Sequence, residues 1–508
     1  MIVVFYFNWT VMISIALSNP SSYDLYIDIV EKIQGVSFDS IVFDPELHSH
    51  KNTSENACEG KKTASLGGVS LDPHIHSVPF DPNYRPRGDD LFALVYEFSP
   101  HMARLPKWSL KRHHEAMEIL LANLYVNCKT LPDFYIAIDR TNGHYPTSAV
   151  NNASDACAEL FKEATDTLRQ FDLLEFVEHV FISKYSKHNR ISRIRPSQKL
   201  LERFATVKDG GVEWHPEREV IYLKDADKEL ALYGKYKKDV EHDPPAVVGM
   251  RRRLQQYNAL LRKTDITLPW SEEEMATLNK HRANLGRRVI DPRACEMYRI
   301  FNESFVGGGR FYAPWWAQLD SEDRAKIKIN GDPVVELDFS AYHPSLLYLR
   351  ELGTLPEGDV YALPLLGEMM PEVSSSELRK VIKKAFLVLL NADTRTQAKQ
   401  ALRDVGRTYE EFEVLRTVDL DMLFDSIAER HPAIWKYFGA GMGKRLQNWD
   451  SKVADRVMEI MMLKHGVPCL PVHDSFIVPE QHEETLFEAM KAAVKRCGWS
   501  ECPKIDRK

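Results

Sequence analysis

Seven cysteines are spread over 508 residues, at 58, 128, 157, 295, 469, 497 and 502, with no Cys-x-x-Cys pair and no Cys/His cluster. That argues against a structural zinc knuckle and a disulfide-stapled fold, and leaves reduced thiols as the default. Long apolar runs are also missing. The longest stretch, Ile2–Leu17, has about 16 residues, short of the roughly 20 that a membrane span needs. It holds Asn8 and Thr10 and has no Lys or Arg ahead of it, unlike a secretory signal. A buried strand or helix, or an upstream mis-start, is the expectation there, in a cytoplasmic protein without a membrane partner. A cationic excess is absent too: 66 Lys and Arg face 73 Asp and Glu, a net charge of −7. A dedicated duplex binder is usually basic overall, so any polyanion would have to meet a local patch. No internal repeat is present.

What is there is ordinary globular material, 44% hydrophobic and 27% charged, long enough for two to four domains. Residues 1–90 read as a poorly ordered or irregular leader, because Ser, Pro, Asn, Gly and His dominate from about residue 20. Residues 91–243 read as a mostly helical domain; Trp108–Cys128 carries apolar residues at helical spacing, and a second helix is expected at about Asn152–Phe171. Its segment 181–203 gathers Lys184, Lys187, Arg190, Arg193, Arg195, Lys199 and Arg203 around Phe181 and Tyr185. That is either a phosphate-tracking surface or a solvated face. The charged stretch Lys224–Glu241, closed by Asp243-Pro244-Pro245, marks a boundary before residues 244–508.

Four motifs in that last region carry chemistry. In PVVELDFSAYHPSLLY, a short buried strand ends at Asp338, and Pro344 suits the first turn of the following helix. In GVPCLPVHDSFIVPE, two apolar strands flank His473-Asp474-Ser475, a hairpin with Asp474 at its tip. Two such strand-end carboxylates side by side would hold two Mg2+ ions, with Mn2+ as a substitute, roughly 3.5–4 Å apart. In SELRKVIKKAFLVLLNA, Arg379 and Lys383 lie four apart on one helical face continued by Phe386 and Leu390, placed to neutralise a triphosphate. In FVGGGRFYAPWW, Gly307–Gly309 permit a close backbone approach, and Arg310, Tyr312, Trp315 and Trp316 offer a cation and stacking surfaces. Glu336 is expected on the same side of its strand as Asp338.

Taken in order, these motifs resemble the polymerase core shared by family A DNA polymerases and single-subunit (phage-type) RNA polymerases, over about residues 295–495. LDFSAYHPSLLY looks like motif A, with Asp338 as first metal ligand; Arg379, Lys383 and Asn391-Ala392 fall where motif B has Arg, Lys and Tyr-Gly; VHDSF is similar to motif C, with Asp474. GGRFYA resembles the Gly-Arg element that contacts the template–primer, and RLQNWDS, with Gln447, resembles the helix lining the minor groove. The resemblance implies an α+β fold, an antiparallel palm sheet with helical fingers. It implies a nucleotidyltransferase with a template or template–primer and nucleoside triphosphates as partners. Asp338 and Asp474 would be catalytic and metal-binding, Lys383 and Arg379 would hold the triphosphate, and Arg310, His343, Tyr342, Asn391, Gln447 and His473 would border the substrate.

The sequence departs from the family at two places. Asn391-Ala392 stands for Tyr-Gly, and His343 stands where DNA enzymes carry a bulky sugar gate and RNA enzymes a Gly. His343 favours deoxynucleotides by crowding a 2′-hydroxyl, whereas HDSF and GRFYA are closer to the RNA polymerases. A DNA polymerase is therefore the first expectation and an RNA polymerase or primase the second. A magnesium-dependent nuclease or a non-catalytic binding protein with a degenerate palm stands as an alternative of another class. Asp133, Asp139 and Asp155 lack the strand contexts of an exonuclease site, so no proofreading is expected; such an enzyme would suit DNA replication by a mobile element or phage-derived locus.

Overall fold

A computed structural model describes residues 77–81, 84–138, 158–178, 191–208, 211–214, 219–224, 244–284, 290–292, 294–312, 314–371 and 373–508. The apolar run Ile2–Leu17, nearly all of the leader, Lys184, Lys187, Arg190, Asp139 and Asp155 lie outside them. The chain divides into two compact units. The described part of one comprises residues 77–300 and 312–334, and that of the other comprises 301–311 and 335–508. Among the described residues no helix is long and apolar enough to cross a membrane.

The described residues of the first unit hold more helix than strand, and they also form small sheets that the sequence reading did not foresee. Strands β1 (Ser77–Pro79) and β2 (Tyr84–Pro86) precede helices α1 (Asp89–Phe98) and α2 (Leu110–Thr130). Then follow β3 (Tyr135–Ile138), α3 (Ala158–Gln170), β4 (Leu174–Val177), β5 (Ser192–Pro196) and α4 (Gln198–Ala205). A four-stranded sheet runs β1-β3-β5-β4, parallel at β1/β3 and antiparallel elsewhere. Ser109 caps α2 by accepting from the Arg112 N–H, and α2 buries almost every residue from Ala116 to Asn127. Ile119, Leu120, Phe161 and Ile194 meet there in one core. The strands escaped the sequence reading because they are three to five residues long, too short for a period-two pattern to stand out between long helical runs. β3 begins two residues after Asp133, a strand beside that residue which the sequence reading did not foresee.

The described cations of the basic segment have partners within the unit. Arg193 donates to Ser77 Oγ at 3.0 Å, Arg195 pairs with Glu175 at 2.6 Å, Lys199 donates to the Phe171 carbonyl at 2.7 Å, and Arg203 pairs with Glu97. Trp315 and Trp316, offered above as stacking surfaces, are completely buried. A solvent-facing pair of indoles would expose more apolar surface than a short 3₁₀ turn can shield, and here both rings face inward.

The rest of the first unit runs through β6 (Val212–Trp214), β7 (Ile221–Lys224), α5 (Pro245–Leu261), β8 (Ile266–Thr267) and α6 (Glu272–Asn284). The chain then enters the hairpin β9 (Tyr298–Asn302) and β10 (Ser304–Tyr312), passes through β11 (Lys328–Ile329), and forms β12 (Asp332–Phe339).

In the second unit, β12 leads into α7 (Tyr342–Leu352). A helical region follows, with α8 (Pro364–Met369), α9 (Ser375–Asn391), α10 (Arg395–Thr408), α11 (Leu420–Arg430) and α12 (Gly443–Met458). Strands β13 (Leu470–Val472) and β14 (Ser475–Pro479), helix α13 (Glu483–Arg496) and β15 (Ile505–Arg507) complete it. Ser374 caps α9, and Thr394 with Gln397 forms a capping box on α10. Val381, Phe386, Leu389, Leu402, Leu423 and Ile427 pack into one helical core. The sheet places β14 next to β12, with β15 antiparallel to β12 on its other side. An antiparallel sheet beside a helical region is the coarse α+β architecture expected.

Candidate active site at two strand ends

β12 is buried at Val335, Glu336 and Leu337, so its end is anchored in the sheet while Asp338 is half-buried at the rim. The chain leaves the strand through Ala341, whose φ of 45° lies in the left-handed region, and enters α7 with Pro344 in its first turn. β13 and β14 are joined by His473-Asp474, with Val472 paired to Ser475 across a two-residue turn. His473 takes a φ of 62°, a conformation that favours glycine. Non-glycine residues held there cost free energy and recur at functional sites. The Phe339 N–H donates to the Asp474 carbonyl at 3.3 Å, so the two turns meet.

The electrostatics of Asp338 follow from that meeting. Burial, then the nearby Asp474 charge, raise its pKa from 3.8 to about 6, against the opposing pull of Lys508. Its Oδ1 is buried without a hydrogen-bond partner, while Oδ2 faces Lys508 Nζ at 3.2 Å. Glu336 lies on the same side, as alternation requires, and is buried; it accepts from Ser475 Oγ at 2.7 Å and faces Lys508 Nζ at 3.4 Å. Asp506 stands directly opposite Asp338 in the β12/β15 register and is paired with Lys504 at 2.6 Å and with Ser340. Among the described residues no group of three or more His, Cys, Asp or Glu side chains gathers as a metal cage. Magnesium is commonly bound by one or two carboxylates plus substrate phosphates and water. Two neighbouring carboxylates, one with an unsatisfied buried oxygen, fit that ligand chemistry.

A second group is organised by Asp450, on α12, whose side chain is wholly buried. It accepts from Arg310 Nε at 3.0 Å and from Arg310 Nη2 at 2.5 Å, and lies 2.9 Å from His343 Nε2. Burial alone would raise its pKa, but Arg310 and His343 hold it below the usual carboxylate range. Arg310 and His343 are thus fixed by one acid, and beside them His473 has its pKa lowered from 6.5 to about 4, by burial first and then by Arg310, against the opposing pull of Asp450 and Asp474. Two of the three glycines before Arg310 pack closely against other parts of the chain, Gly307 against backbone and Gly309 against a ring. A Cβ on Gly307 would stand 2.8 Å from the Asn302 carbonyl, and one on Gly309, at φ +91°, 2.5 Å from the Phe301 ring. Asn448 and Ser451 of α12 donate to the Gly308 carbonyl, tying this hairpin to the helix that carries Asp450.

Other expected residues lie near but are differently engaged. Tyr342 is buried, stacked on Phe339 at 4.5 Å, and its hydroxyl has no hydrogen-bond partner. Burial drives its pKa well above 10, so it remains a neutral phenol. On α9, Lys383 is exposed, whereas Arg379 is tied to Asp359 at 2.6 Å and lies over the Tyr361 ring at 5.3 Å. The face expected to run on through Phe386 and Leu390 instead turns inward: both are buried, and Leu387 is the exposed neighbour. Asn391 donates to the Leu387 carbonyl at 2.7 Å, and a Cβ on Gly443 would fall 1.9 Å from Asn391 Oδ1. Asn391 is therefore pressed against the start of α12. Gln447 is half-buried on that helix.

Sequence reading missed Asp450 and Lys508. Asp450 lies three residues after Gln447 in RLQNWDS, a segment already singled out, and an acid among Leu446, Val453 and Val457 is a signal that it could be buried and paired. Lys508 carried no such signal, because nothing in IDRK names the strand it joins. No protein-family model matches the chain, and no curated protein matches it significantly.

Proposed function

We propose that the chain is a template-directed nucleotidyltransferase, a nucleic-acid polymerase that extends a 3′ end, with DNA synthesis favoured. The observation that carries the reading is the pair Asp338 and Asp474 at adjoining turns, where burial and mutual repulsion raise the first to about 6 and leave its Oδ1 unsatisfied. Such a charge excess calls for a divalent cation. Asp338 and Asp474 would hold two Mg2+ or Mn2+ ions, which when bound supply activation of the 3′-oxygen and stabilisation of the leaving pyrophosphate.

The protein's own groups take the remaining roles. Lys383, exposed on α9, attracts the triphosphate. Arg379 joins it by leaving Asp359, an exposed pair worth at most about 1 kcal/mol, which a multiply charged phosphate outcompetes. Arg310 addresses the nucleic-acid backbone and His343 the sugar. Asp450 holds both still, which limits the reorganisation needed when substrate arrives.

A single-subunit-type RNA polymerase or primase is the second reading, resting on the HDSF form of the turn. The structure supplies a local reason for that form. Ser475 is buried and bonded to Glu336, and a Glu in its place would set two carboxylates together. Ser475 therefore says less about the nucleotide than His343 does. For a nuclease, the nearest further acids, Glu336 and Asp506, are already paired with Lys508 and Lys504.

Primer extension and de novo synthesis on single-stranded DNA, each with ribo- and with deoxynucleotides, test the proposal. Extension of a primer with deoxynucleotides is expected. Degradation of labelled duplex in magnesium without nucleotides, and no extension, would replace it with the nuclease.

A further inference from the structure

β15 runs antiparallel to β12, and its register sets Leu337 opposite Arg507 and Asp338 opposite Asp506. The next residue, Lys508, continues the ladder, its N–H donating to the Glu336 carbonyl at 3.0 Å. Alternation then puts the Lys508 side chain on the face that carries Glu336 and Asp338. Its ammonium lies 3.4 Å from Glu336 Oε1 and 3.2 Å from Asp338 Oδ2. Glu336 and Asp474 both act on Asp338, so the ammonium stands against a cluster of three acids. The Lys508 side chain is 38% exposed, so water can receive it if it is displaced.

We infer that Lys508 is a built-in counter-cation of the carboxylate site, which steadies the site when no divalent ion is there and must withdraw from Asp338 when one binds. This rests on the metal-binding role proposed for Asp338 and Asp474. The physical reason is repulsion: Lys508 Nζ stands 3.2 Å from Asp338 Oδ2, and a divalent cation held by the same carboxylate through its unsatisfied Oδ1 would push that ammonium away. Lys508 thereby sets how much divalent ion the site needs, and two opposite effects follow from its removal. The ion-free protein loses a stabilising contact, whereas the ion-bound protein loses a repulsion.

The experiment measures Mn2+ binding by electron paramagnetic resonance, and thermal unfolding in chelator, for the full chain as wild type, Lys508→Met and Lys508→Arg. Lys508→Met keeps the aliphatic stem and removes the charge; Lys508→Arg keeps the charge. Lys508→Met is expected to tighten Mn2+ binding about tenfold, the scale of one partly exposed ion pair, while lowering the melting temperature in chelator. Lys508→Arg should move neither by much. A strand-locking role alone would lower the melting temperature and leave Mn2+ affinity unchanged, and that result overturns the inference. Asp338→Asn and Asp474→Asn separate it from the reading beneath it. If wild type binds Mn2+ and both Asn variants do not, the metal site stands whatever Lys508 does. If wild type binds no Mn2+, the site and the inference fall together.

Discussion

Replacing Asp338 by Asn should stabilise the ion-free protein at neutral pH, although it removes a residue assigned to catalysis. The folded state raises the Asp338 pKa from 3.8 to about 6 through burial first and Asp474 second. At 1.36 kcal/mol for each pKa unit, ionised Asp338 costs the native state about 3 kcal/mol. The sign follows from proton counting. Between pH 4 and 6 the folded state holds more protons at this group than the unfolded state, so stability falls as pH rises through that window and stays low above it. The side chain is 21% exposed, so little of this is lost to solvent screening. Amide hydrogen exchange of β12 and β14 in chelator reads the opening of this sheet specifically. At pH 7.5, Asp338→Asn should raise the opening free energy by up to about 3 kcal/mol, and at pH 4 by almost nothing. A destabilised Asn variant at pH 7.5, or a gain independent of pH, would refute the reasoning.

Three further outcomes follow. Asp450→Ala strips Arg310 and His343 of a shared buried acceptor and should destabilise the protein by about 3–5 kcal/mol in chemical unfolding; a loss under about 1 kcal/mol would contradict the network. His431 is fully buried between the Tyr348 hydroxyl and the Val360 carbonyl, and burial lowers its pKa from 6.5 to about 4. Its folded pKa is depressed, so the unfolded state binds more protons: stability present above pH 6.5 should fall by about 3 kcal/mol on the way to pH 4, and His431→Gln should remove that slope from unfolding curves. Gly309→Ala places a Cβ against the Phe301 ring at a φ of +91°, so a loss of about 2–4 kcal/mol is expected, only partly restored by adding Phe301→Leu, since the backbone strain persists.

The strand ending at Asp338 and the hairpin carrying Asp474 were legible because their apolar runs are short, uninterrupted and bounded by Pro and turn residues. Helix α9 was legible too, from the four-residue spacing of Arg379 and Lys383 and of Phe386 and Leu390. The first unit's four-stranded sheet was not, because its strands are three to five residues long and their partners lie up to 58 residues away, as Tyr135 does from Ser77 and Ile194 from Ile136. Local pattern also failed at Trp315 and Trp316, where the same residues serve a stacking surface or a core equally well. The pairing of Arg310 with Asp450, 140 residues apart, and of Asp338 with Lys508 are tertiary facts. Both involve charges that sequence reading leaves in solvent by default.

Primer extension by purified Asp474→Asn tests the central claim most directly, with template–primer affinity measured on the same preparation. Asp474 is half-buried at a turn and holds the neighbouring strand through its backbone carbonyl, which Asn keeps. Extension should fall by at least about a thousandfold, the scale of losing metal-assisted charge stabilisation, with affinity unchanged within a few-fold. Extension at the wild-type rate would contradict two-carboxylate catalysis at Asp338 and Asp474.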